Sequence, residues 1–128
     1  APGGGVNEGE SDHEALHREL FEETGLESPH IGPLIWTRQT SYVLNEHTPN
    51  AVKVFQSERF FLVPVQRFDA HARNMPEETE RDWFQNFDWL TANDIDSSDE
   101  RIVPTTLAHY LRLLAADGAP PTPVDVGR

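Results

Sequence analysis

Three glutamates, Glu19, Glu22 and Glu23, stand at i, i+3 and i+4, so a helix through them would gather them on one face. Carboxylates held that close repel one another and disfavour one another's ionisation, a cost that a divalent cation removes. Hard cations such as Mg²⁺ take oxygen ligands, usually one or two carboxylates, with waters and substrate phosphates completing the shell. Just ahead, Gly3, Gly4 and Gly5 offer backbone carbonyls and amides that no side chain shields. The residue types and their spacing therefore point to a cation site made of oxygen donors.

A helix has to position those glutamates, and both of its ends are written locally. Ser11 followed by Glu14 is a capping box, in which each side chain satisfies a backbone donor that the first turn leaves free. Gly25 supplies the stop. At about 100° per residue, Leu16 and Leu20 form an apolar stripe beside the carboxylate patch. The plainer reading is a solvated acidic amphipathic helix, which composition alone favours. The clustering on one face, next to a glycine loop, tips the balance towards a site.

Read from Gly4, the order is glycine, five residues, Glu10, seven residues, then Arg18-Glu19-Leu20-Phe21-Glu22-Glu23-Thr24-Gly25-Leu26. This resembles the Nudix box at every fixed position, a far more specific match than a short motif usually offers. The sharp resemblance covers residues 4–26. It implies an α/β fold, a Nudix-type α/β/α sandwich around a mixed sheet, with the box helix on one side and a C-terminal helix on the other. It also implies hydrolysis of a nucleoside diphosphate linked to another group, with Mg²⁺, or Mn²⁺ in its place, as the cation. Nucleoside triphosphates, nucleotide sugars such as ADP-ribose and dinucleoside polyphosphates are all within that class.

Carried over residue by residue, the resemblance makes Glu22 and Glu23 the primary metal ligands, with the Gly3 carbonyl as a backbone ligand. Glu19 binds metal or acts as general base, Glu10 supports the site directly or through water, and Arg18 orients a glutamate through a charge-assisted hydrogen bond. Family members often carry a further glutamate before the last strand, and Glu80 is the candidate here, with Glu77 and Glu78 as alternatives. A solvated charged loop accounts equally well for any one of these three. Members often pair, so a homodimer is among the expectations. The family also has strands before the box, whereas this sequence opens at Ala1-Pro2-Gly3. The expectation is that those strands are missing because the sequence is a cleaved or partial one.

Two further function classes stay in view. One is a noncatalytic Nudix-like domain that binds a nucleotide or a protein; the intact Glu19, Glu22 and Glu23 weigh against it. The other is a zinc peptidase, because His13-Glu14-Ala15-Leu16-His17 matches His-Glu-x-x-His. The extended form of that motif wants glycine and histidine where this chain has Leu20 and Glu23, and Glu14 already serves the capping box.

Composition bounds the rest. The chain has 128 residues and a net charge of −12, which opposes binding to polymeric nucleic acid, since that needs basic surface to displace counterions. It has no cysteine, so disulfide and thiol chemistry are excluded, in keeping with a cytoplasmic protein. No apolar run is long enough to span a membrane.

One domain is expected over residues 1–118, with a proline-rich tail over 119–128. Residues 34–43 read as a strand. After a turn at 44–50, residues 51–55 and 59–65 read as one long or two short returning strands, the second apolar on both faces and so central in the sheet. Residues 66–75 are a loop, and this loop, the 44–50 turn and the missing N-terminal strands are where substrate selectivity is expected. Residues 83–90 read as a last strand with Trp83, Phe87 and Trp89 on a core face, although such a row also suits stacking on a base. A helix over 105–116, stopped by Gly118, should cover one face of the sheet.

Overall fold

The computed structural model describes residues 1–84 and 86–128. The elements run α1 (Asp12–Thr24), β1 (Leu34–Leu44), β2 (Val52–Phe61), α2 (Glu78–Arg81), α3 (Ala92–Asp96), α4 (Leu107–Asp117) and β3 (Val124–Asp125). They form two compact units, one of Ala1–Ile31 with Val63–Trp89 and one of Gly32–Leu62 with Leu90–Arg128. Among the described residues no helix is long and apolar enough to cross a membrane.

The second unit is a mixed three-stranded sheet in the order β2-β1-β3, covered by α4, which gives the α/β class expected. β1 and β2 pair antiparallel from Leu34↔Phe61 to Leu44↔Val52. Their connection turns through Asn45 and His47, both at positive φ, a conformation that asparagine tolerates better than most residues. Ile35, Trp36 and Val126 are buried at the centre, and Phe60, Leu62, Leu107, Tyr110, Leu111 and Leu114 pack on them. The Trp36 ring lies 6.2 Å from Phe60 and 6.1 Å from Tyr110, so one indole joins the sheet to the helix. Arg112 on α4 reaches back to Asn93 and Asp96 of α3 at 2.8 and 2.6 Å.

Three expectations change. The strand over 51–65 is one element that stops at Phe61 and lies at the edge, while β1 is central. The reason is that β3 occupies the other side of β1, and Pro64, lacking an N–H, cannot extend the ladder. Residues 119–128 are extended, as their prolines require, but they are not free. Val124 and Asp125 pair parallel with Trp36 and Thr37, the Val126 amide donates to the Thr37 carbonyl at 3.0 Å, and the Thr106 hydroxyl donates to the Val126 carbonyl at 2.6 Å.

Residues 83–90 form no strand among the described positions; Gln85, inside that stretch, lies outside them. Trp83 and Trp89 are exposed, at 78% and 43%, so the expected aromatic core face is absent. A strand needs a neighbour to take its hydrogen bonds, and the described residues of the first unit, to which 83–89 belong, contain none. The backbone instead continues turning after α2, with the Trp83 and Phe84 amides donating to the Glu80 and Arg81 carbonyls at 3.1 Å.

Val126 is only 2% exposed, so Val126→Ala should cost roughly 2 kcal/mol through lost burial and the cavity left behind. Urea denaturation should show a lower midpoint with an unchanged slope; an unchanged midpoint would remove Val126 from the core.

Candidate active site

The first unit holds the box. Helix α1 starts where the sequence places it. The Ser11 hydroxyl accepts from the Glu14 amide at 3.1 Å, and the Glu14 carboxylate accepts from the Ser11 amide at 3.3 Å. It ends at Gly25, whose φ of 78° is left-handed and whose amide donates to the Phe21 carbonyl at 3.0 Å. Ala15, Leu20 and Thr24 are the buried face of this helix. The Thr24 hydroxyl donates to the Leu20 carbonyl at 2.6 Å, which satisfies the one buried polar side chain there.

With that face buried, Glu19, Glu22 and Glu23 project elsewhere, and the glycine loop folds back over them. The Gly3 amide donates to Glu23 Oε2 at 2.7 Å. Gly4 lies so close to Glu19 that any side chain at this position would run into its carboxylate. A side chain at 4 would therefore push the Glu19 carboxylate from its present place under the loop.

Arg18 ties loop and helix together. Its Nε and Nη2 donate to both Glu10 oxygens at 2.9 and 3.0 Å, a forked pair. Nη1 donates to Glu19 at 2.8 Å and lies 3.6 Å from Glu22, while Nη2 also donates to the Gly5 carbonyl at 2.8 Å. One cation thus touches three carboxylates and the glycine loop. The electrostatics follow. Glu10 is pulled from 4.5 down to about 2, first by the Arg18 hydrogen bond and then by that from the Asn7 amide. Arg18 is pushed further above its ordinary range, chiefly by Glu10. Glu23 moves the other way: burial raises it most, the nearby charges of Glu19 and Glu22 add to that, and the Gly3 amide opposes.

Gly3, Glu10, Arg18, Glu19, Glu22 and Glu23 are thus brought to one place. Among the described residues no three His, Asp or Glu side chains are gathered closely enough to hold a metal ion by themselves. What stands here is an open set of oxygen donors in which burial disfavours Glu23 as a bare anion. That chemistry fits a hard divalent cation whose shell is completed by water and phosphate. Glu80 sits half-buried on α2, and among the described residues no hydrogen bond or ion pair joins it to the box. His13 is exposed, and the Glu14 carboxylate accepts from the Ser11 amide at the cap.

Sequence reasoning missed how residues 71–74 attach to this helix. The His71 amide donates to the Thr24 carbonyl at 3.1 Å, and its ring lies against Gly25, leaving no room for a Cβ. The Asn74 side chain donates to the Phe21 carbonyl at 3.4 Å. Only the polar, aperiodic run around His71 marked the segment, and that signals a loop without saying where it docks.

The chain matches the NUDIX domain family over residues 1–113. It belongs to that family. Among its relatives, an RNA pyrophosphohydrolase of Actinobacillus succinogenes is 31% identical over 99 residues, 70% of this chain and 47% of the relative. One of Psychromonas ingrahamii is 32% identical over 100 residues, 70% of this chain and 52% of that protein. One of Shewanella pealeana is 33% identical over 91 residues, 64% of this chain and 53% of that protein. This Nudix chain therefore spans about half the length of the curated relatives it matches. No solved structure matches it significantly.

A carboxylate held low in the fold stabilises it above its unfolded value and loses that contribution as pH falls towards its folded value. For Glu10 that window runs from about pH 4.5 down to about 2. Urea midpoints measured across it should fall as pH drops, and Glu10→Gln should flatten that fall. An identical profile for the variant would mean that the Arg18–Glu10 pair does not hold the loop in solution.

Proposed function

We propose that this Nudix domain is a pyrophosphohydrolase that hydrolyses the phosphoanhydride of a nucleoside diphosphate linked to another group. The observation that carries this reading is the convergence of Glu19, Glu22 and Glu23 under the glycine loop, with Arg18 holding the arrangement. Nudix hydrolases generally use divalent metals, and Mg²⁺, or Mn²⁺, is the cation proposed. Glu22 and Glu23 would hold it, with the Gly3 carbonyl beside them, Glu19 as a further ligand or base, and Glu10 in support. Bound there, the cation would neutralise charge on the phosphate oxygens and lower the pKa of its water.

The chain's own residues supply the remainder. Water attacks a phosphorus of the anhydride, the bond to the bridging oxygen breaks, and the water's proton passes to a carboxylate, either Glu19 in the box or Glu80 outside it. Arg18 holds Glu10 and Glu19 through its hydrogen bonds, so the site meets its substrate already oriented.

The names of the relatives favour a second reading of the substrate. The internal links of RNA are phosphodiesters and a phosphoanhydride occurs only at its 5′ end, so an RNA substrate would be engaged at its terminus. The net charge of −12 supports the smaller nucleotides over a long contact with the polymer. A noncatalytic nucleotide- or protein-binding domain and a zinc peptidase remain the contrasting classes.

Chromatography after incubation with Mg²⁺ and nucleoside triphosphates, ADP-ribose, diadenosine polyphosphates or 5′-triphosphorylated RNA tests all of these. The expected result is metal-dependent cleavage of one class: phosphate or pyrophosphate with the shortened nucleotide or RNA from a triphosphate, adenosine monophosphate with ribose 5-phosphate from ADP-ribose, or two nucleotides from a diadenosine polyphosphate. Turnover should be abolished by chelation and lowered about a hundredfold or more by Glu23→Gln, with His13→Ala and His17→Ala nearly unaffected. Tight Zn²⁺ binding lost with either histidine, alongside Mg²⁺-independent peptide cleavage, would overturn the reading.

A further inference from the structure

Within the first unit, residues after β2 enclose an open cleft of about 400 Å³. Its walls include His71, Arg73, Arg81, Phe84 and Phe87. The Phe84 and Phe87 rings lie nearly parallel, 15° apart in plane with centroids separated by 6.5 Å. The cleft is anchored on the box helix, because His71 is bonded to Thr24 and packed on Gly25. Gly25 follows Glu23 by two residues, about 3 Å along a helix axis. The cleft is thus joined through its His71 wall to the C-terminal end of the helix that carries the proposed metal ligands.

Its chemistry is unusual for this chain. With a net charge of −12 and ten lysines and arginines in all, cations are scarce. Arg18, Arg38 and Arg112 are held in ion pairs. Arg73 and Arg81 line the cleft with no ion pair among the described residues, although Glu78, Glu80 and Asp82 stand close in sequence to Arg81. Flat aromatic faces beside unpaired guanidinium groups suit a ligand that is planar at one end and anionic at the other. The acidic residues of α2 and its C-cap set an upper limit, because they repel a polyanion while two arginines still suffice for a single phosphate group.

We propose that this cleft seats the nucleoside monophosphate half of the substrate, the base on the Phe84–Phe87 pair and its phosphate towards Arg73 and Arg81. The assignment rests on the pyrophosphohydrolase reading for the word substrate, but binding at the cleft is testable without turnover. Adenosine monophosphate has no anhydride to cleave, so it reports the cleft alone.

Isothermal titration of the whole chain with adenosine monophosphate should show binding, and ribose 5-phosphate should bind about tenfold more weakly for want of a stacking base. Arg73→Gln and Phe87→Leu should each weaken adenosine monophosphate by about tenfold, while Glu23→Gln should leave its affinity in place. Arg73 is exposed, so its variant stays informative if Phe87→Leu fails to fold. Equal affinities for the two ligands, or an affinity untouched by both Arg73→Gln and Arg81→Gln, would overturn the proposal. The two readings fail separately. Arg73-dependent binding with no turnover on any anhydride would sink the hydrolase and keep the cleft. Glu23-dependent turnover with KM and nucleotide affinity unchanged in Arg73→Gln would keep the hydrolase and sink the cleft.

Discussion

The glycine loop and the glutamates beneath it depend on one guanidinium. Arg18 donates to Glu10, to Glu19 and to the Gly5 carbonyl, and lies within ion-pair range of Glu22. Without a cation there, the carboxylates of a strongly acidic helix would repel one another and the loop above them. With it, a flexible glycine segment becomes a fixed roof, held at the Gly5 carbonyl by Arg18 and at the Gly3 amide by Glu23. The planar fork matters as well as the charge, since a lysine presents one compact ammonium and could not grip both Glu10 oxygens while reaching Glu19.

The two units divide the physical tasks. The second is a small sheet and helix whose apolar residues close on Trp36, and it supplies most of the regular hydrogen bonding. The first has no strand among its described residues and draws its order from side chain to backbone bonds: the capping box, Arg18 to Gly5, Glu23 to Gly3, and Asn74 to Phe21. A site assembled this way has its polar groups already committed to particular oxygens, which is the preorganisation that charge-handling chemistry needs. The raised Glu23 and the lowered Glu10 show the consequence, two glutamates of one box driven apart by burial on one side and an arginine on the other.

Much of the box was legible in the residues themselves. Ser11 with Glu14 and the left-handed Gly25 decide where α1 begins and ends, because caps are contacts within a few residues. The i, i+3, i+4 spacing then decides that Glu19, Glu22 and Glu23 share a side, whatever surrounds them. β1 was likewise evident from its β-branched and aromatic run, and α4 from its leucine spacing. Those features depend on local geometry, which the order of residues determines alone.

Other features depended on distant neighbours, and there the sequence was silent or pointed elsewhere. Alternating aromatics at 83–90 make a strand only if another strand accepts their hydrogen bonds, and none of the described residues nearby does so. The proline-rich segment at 119–128 looks free until Trp36 and Thr37 offer an edge on which Val124 and Asp125 can pair. Gly4 looks like loop flexibility until Glu19 occupies the space of its missing side chain. The sequence by itself determined the helix, its caps and the oxygen-donor face. Only the tertiary structure decided which strand is central, what roofs the glutamates and which arginines line the cleft, because those outcomes are set by contacts between residues far apart in the chain.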